Sequence, residues 1–143
     1  AATRMRQRLQ EHWIALRIAL LQGIADRGLA AETLPPLDAL VLGGEAFLKA
    51  MEVPGRTRLL LLDAPAVLGR DEVDAIDSLH AARTLREGLV AAMRAGVIRV
   101  LPVDALTQML SAAYDRAALA IESGSDPAEW RAILKAMLEG LAA

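Results

Sequence analysis

Apolar residues return every three or four positions along most of this chain, and that spacing is the face of an α-helix. Met5, Leu9, Trp13, Leu16, Leu20 and Ile24 mark it over a first segment from about Thr3 to Arg27, with Ile14, Ile18 and Leu21 widening the stripe. Trp130, Ile133, Leu134, Met137, Leu138 and Leu141 mark it again at the far end. The one run that reads equally well as a buried strand, Leu59 to Leu62, has no second strand candidate to pair with, so it is assigned to a short helix ended or kinked by Pro65. The fold class that follows is all-α, a bundle of about six helices in one domain spanning 1–143.

Local signals divide the bundle. Gly28 is a helix stop after the first segment, and Thr33, Pro35-Pro36 and Asp38 open the second, whose apolar side is Leu37, Leu40, Val41, Phe47, Leu48 and Met51. Gly43-Gly44 interrupts it, for close helix packing or for a bend beside a ligand. Pro54-Gly55 makes a turn. The clearest helix runs from about Asp71 to Ala95, acidic at its start (Asp71, Glu72, Asp74, Asp77) and basic toward its end (Arg83, Arg86, Arg94), with Gly96 as its stop. Val97 to Leu101 reads as an extended linker. Pro102 and Asp104 start a helix reaching about Ser123. Asp126-Pro127-Ala128-Glu129 places a cap residue, a first-position proline and a glutamate three residues after the cap, all marks of a helix start.

Composition narrows the function classes. The 143 residues contain no cysteine, which removes disulfides, thiolate catalysis and cysteine metal sites, and fits a reducing cytoplasm. A net charge of -2 gives no basic surface for nucleic acid. Residues are 55% hydrophobic but only 3% aromatic, so the apolar excess is Ala and Leu. No uncharged apolar stretch is long enough for a membrane span, and no signal-peptide pattern is present. The start Ala1-Ala2-Thr3, without Met, suggests a fragment, a processed chain or a partly ordered one.

Catalytic constellations are thin. His12 and His80 are the only histidines; Asp77 precedes His80 by three residues, so on one continuous helix the two share a face, for acid–base work or metal binding, or else as a helix-surface polar pair or a histidine lining an apolar space. No two-histidine metal spacing, Gly-x-Ser-x-Gly elbow or phosphate-binding glycine loop occurs. No catalytic residue, metal or cofactor is expected. Trp13, Phe47, Tyr114 and Trp130 are the bulky rings, each suited to core packing or to a ligand wall.

The stretch from Leu59 to Leu141 resembles the C-terminal domain of TetR/AcrR-type transcriptional regulators. Leu59-Leu60-Leu61-Leu62-Asp63-Ala64-Pro65-Ala66-Val67-Leu68-Gly69 is similar to the segment before that family's long seventh helix, in which Asp77 and His80 then fall. Ala92 to Ile98 is similar to the exit of that helix, Pro102 to Leu106 to the start of the eighth, and Asp126-Pro127 to the start of the ninth. Residues 1–58 match in helical layout only, and nothing matches the family's N-terminal helix-turn-helix.

The resemblance implies a regulatory domain of a repressor: a homodimer made by a four-helix bundle of the last two helices, about 103–123 and 127–142, and a pocket for a small hydrophobic or amphipathic effector among the earlier ones. DNA would be reached only through a helix-turn-helix absent from this chain. Candidate pocket residues chosen from this sequence are Trp13, Leu16, Leu20, Phe47, His80, Met93 and Tyr114; candidate interface residues are Ala113, Ala117, Trp130, Leu134, Met137 and Leu141. The alternative is a free-standing helical binding or adaptor protein with a hydrophobic groove.

Overall fold

The computed structural model describes residues 1–25 and 34–143. Gly28 and Thr33, read above as helix signals, lie outside the described residues. The architecture is all-helical, and among the described residues the only β pairing is an isolated bridge between Ile98 and Ala142.

Helix α1 (Ala2–Ala25) buries Leu9, Trp13, Leu16 and Leu20, the stripe expected from their spacing. Burying side chains of this size stabilises the fold by about 1.5–3 kcal/mol each. Helix α2 (Pro36–Ala50) runs through the centre, packed on α1 along one side, and carries Phe47 and Leu48 into the same apolar cluster. A chain reversal at Glu52–Gly55 leads to α3 (Arg56–Arg58). Arg56 and Thr57 are both buried. The Arg56 guanidinium donates to the Ala50 carbonyl at 2.8 Å and the Thr57 hydroxyl to that of Met51 at 3.0 Å, so two orphan carbonyls at the end of α2 are satisfied.

The leucine run is helical, but as a π turn over Leu59–Asp63 that continues into α4 (Ala64–Leu68). Pro65, expected to end or kink the helix, does not end it. Lacking an N–H, it cannot bond the Leu61 carbonyl, and the backbone widens ahead of it so that the Ala64 N–H bonds Leu59 instead. The helix ends four residues past the proline, where Gly69 takes a positive φ of 84°.

The long helix expected from Asp71 to Ala95 is two helices, α5 (Arg70–Asp77) and α6 (Ala81–Arg94), separated by a turn at Ser78–His80. The acidic start therefore belongs to α5 and the basic end to α6. A backbone N–H at the head of α6, that of Ala82, favours the ionised Asp77 carboxylate. Local side-chain capping of this kind competes with an unbroken helix.

After the linker, α7 (Val103–Glu122) and α8 (Pro127–Glu139) complete the bundle. Asp126 caps α8 as expected, its carboxylate accepting from the Ala128 N–H at 3.0 Å. A second cluster, formed by Leu40, Leu89, Ala92, Ile98, Leu110 and Leu138, packs α2, α6, α7 and α8 together at the other end.

Candidate functional site

A cavity of about 170 Å³ lies between α1, α2, α7 and the α5–α6 junction. That is comparable to the roughly 150 Å³ engineered cavity that accepts one benzene ring. Trp13, Leu20 and Leu21 of α1 form one wall. Leu40, Gly43, Gly44 and Phe47 of α2 form another. The α5–α6 junction contributes Asp77, Thr84, Leu85 and Gly88, and α7 contributes Ser111, Tyr114 and Asp115. A second recess of about 290 Å³ is larger, but its rim is the exposed turn of Val53, Pro54 and Gly55, so it is a feature of the surface.

Of the two readings of Gly43-Gly44, close packing holds for Gly44, and no break in α2 marks a bend at either residue. A methyl group on Gly44 would collide with the Tyr114 hydroxyl and approach its ring carbon Cζ to 2.7 Å, so this glycine lets α2 and α7 pack closely. A methyl on Gly43 would meet nothing within 4 Å; this glycine keeps space open beside the cavity. Helix α2 runs through both without interruption. Tyr114 also meets Phe47 edge-on, with ring centroids 5.8 Å apart.

Of the seven candidate pocket residues, Trp13, Leu20, Phe47 and Tyr114 line the cavity. The other three do not. Leu16 points into the apolar cluster and Met93 packs against the second cluster. His80 turns to α1, its Nε2 lying 3.1 Å from the Gln10 side-chain oxygen. The break between α5 and α6 separates it from Asp77, so the proposed shared face does not form. Burial and the charge of Arg17 hold the His80 imidazole below its ordinary range.

The cavity contains two carboxylates absent from that set. Burial is the main cause of a raised pKa at both: Asp77 is pushed up to about 6 and Asp115 to about 7, with each raised further by neighbouring carboxylates, Asp77 by Asp74 and Asp115 by Asp77 and Asp74. Among the described residues neither carboxylate has an ion-pair partner, and Asp77 Oδ1 is buried without a hydrogen bond. Arg70, the cation that opposes these shifts, is paired with Asp74 at 3.4 Å. A sequence signal for Asp115 existed: Ser111 and Asp115, four apart on one helix face, are polar positions within an alanine-rich stripe.

A raised carboxyl pKa stabilises the fold at pH below the unfolded value of about 3.9, and that stability is lost as pH rises through the folded value. His12 and His80, both lowered chiefly by burial, act in the opposite direction. The effect of Asp115 is therefore isolated by comparing a neutral isostere with the native chain. Asp115→Asn raises the melting temperature at pH 8 by about 3–6 °C, from roughly 1–2 kcal/mol of relieved burial, and the gain shrinks as pH falls from about 7 until it vanishes below about pH 4. Equal melting temperatures at both pH values would show Asp115 to be solvated.

The candidate interface residues also divide. Ala117 is 0% exposed and Leu134 5%, both facing the protomer's own core. Ala113 and Trp130 are partly buried against the first cluster and Leu141 against the second. Met137 is exposed. The outward apolar positions of α7 and α8 are Met109, Ile133 and Met137, at 73%, 60% and 42% exposure. The Arg116 guanidinium of α7 stacks over the Trp130 ring of α8, 5.7 Å from its centroid.

Helices thus surround a ring-sized, mostly apolar cavity, and the two last helices carry exposed apolar side chains. The family described as tetracyclin repressor-like, C-terminal domain, matches residues 37–142, and the chain belongs to it. No curated protein matches the chain. None of the described helices is long and apolar enough to cross a membrane.

Proposed function

We propose that this chain is the ligand-sensing and dimerisation domain of a TetR-type repressor, responding to a small hydrophobic or amphipathic effector. The observation that carries the reading is the position of the cavity against α1. Trp13, Leu20 and Leu21 are wall residues, so an occupant touches α1 directly. A molecule that fits one position of α1 better than another shifts the balance between them by its difference in affinity. In a full-length regulator, movement of this helix would alter the placement of an upstream DNA-reading unit.

The exposure of Met109, Ile133 and Met137 supports the second half of the reading. Long apolar side chains exposed on adjacent helices are suited to burial against the same surface of a twin across a two-fold axis. The chain is expected to be a dimer at micromolar concentration by light scattering. A monomer under those conditions would remove dimerisation from the account.

A further inference from the structure

Among the described residues, the cavity combines hydrocarbon walls with two carboxylates and no cationic side chain. Asp77 and Asp115 are its charged lining residues. Its other polar side chains are Trp13, Thr84, Ser111 and Tyr114. The Thr84 hydroxyl is already committed, donating to the His80 carbonyl at 3.3 Å. Trp13 is 2% exposed, and its indole Nε1 has no hydrogen-bond partner among the described residues. Asp77 Oδ1 is likewise unpartnered.

Unpaired buried carboxylates destabilise a fold unless something answers them. An anionic occupant would meet two like charges with no Lys or Arg among the described wall residues. A neutral hydrocarbon would displace water from both carboxylates and offer nothing in return. A protonated amine supplies N–H donors to the carboxylates, and charge-assisted hydrogen bonds of that kind are the strong ones. The faces of Trp13, Phe47 and Tyr114 also favour a cation.

We infer that the effector is a lipophilic organic cation: a compact molecule of about one aromatic ring in bulk, whose protonated amine pairs with Asp77 and Asp115 while its apolar part lies against Leu20, Leu40, Phe47 and Leu85. The inference rests on the proposed reading of the cavity as the effector site. Asp77 and Asp115 select the charge of the ligand; the apolar walls set its size.

Calorimetric titration of the whole chain at pH 8 with phenylbutylamine, phenylbutanol and phenylbutanoate separates charge from hydrophobicity, because the apolar part is constant. The amine is expected to bind at least about tenfold more tightly than the alcohol, with the carboxylate weakest. In Asp77→Asn and Asp115→Asn the amine's advantage over the alcohol shrinks. Equal binding of amine and alcohol, or preference for the carboxylate, overturns the cation assignment and leaves the effector site standing. No saturable binding of any of the three to the folded chain overturns both.

Discussion

If the proposed dimer forms through α7 and α8, Ile133→Glu with Met137→Glu is expected to leave a monomer. Both side chains stand outward on α8, at 60% and 42% exposure in the protomer, so the substitutions leave its own core untouched. Across a two-fold axis each change counts twice, placing four carboxylates in one apolar contact. Burying an unpaired charge there costs several kcal/mol, enough to weaken the dimer by about a thousandfold or more. Light scattering at micromolar concentration should report the monomer mass, with the helical circular dichroism spectrum unchanged. Leu134→Glu is the contrasting variant. Its side chain is turned into the first cluster, so it lowers the melting temperature of the protomer itself. A doubly substituted chain that stays dimeric would move the interface to another face.

That contrast shows where the sequence stops being legible. Leu134 and Met137 belong to the same apolar stripe, three residues apart, and periodicity identifies the stripe without saying which neighbour covers each part of it. In the bundle, Leu134 and Leu138 face inward while Ile133 and Met137 face out. The small residues of α7 misled in the same way. Ala117 permits close approach, but the close approach is to its own protomer. Local signals with a definite mechanism were read correctly: Asp126 caps α8, and Leu9, Trp13, Leu16 and Leu20 form one buried face. The break at Ser78–His80 was hidden because no glycine or proline marks it. That break turns Asp77 toward the cavity and His80 away from it, so the pairing read from their spacing dissolved with the continuous helix. The resemblance was legible from Leu59 onward, whereas the family match begins at residue 37; the earlier part carries the family in its helical layout rather than in distinctive residues.

The second large effect belongs to Gly43. A side chain there meets open space on the cavity side of α2, and replacing an interior helix glycine recovers up to about 1 kcal/mol of helix propensity. Gly43 lines the cavity and its Cβ position is open, so Gly43→Met is expected to occupy cavity space at little cost to the fold. Most core substitutions that impair a ligand site also weaken the fold, and loss of binding is then ambiguous. Here the two are expected to move in opposite directions.

The most direct test is calorimetric titration of the native chain and of Gly43→Met with the same phenylbutylamine or phenylbutanol probe, beside a thermal melt of each protein. The native chain should bind one molecule per protomer. The variant should melt at the same temperature or higher and bind at least about tenfold more weakly, because its methionine occupies the ligand's space. Unchanged affinity in a well-folded Gly43→Met would contradict the account, placing the ligand outside the cavity beneath α1.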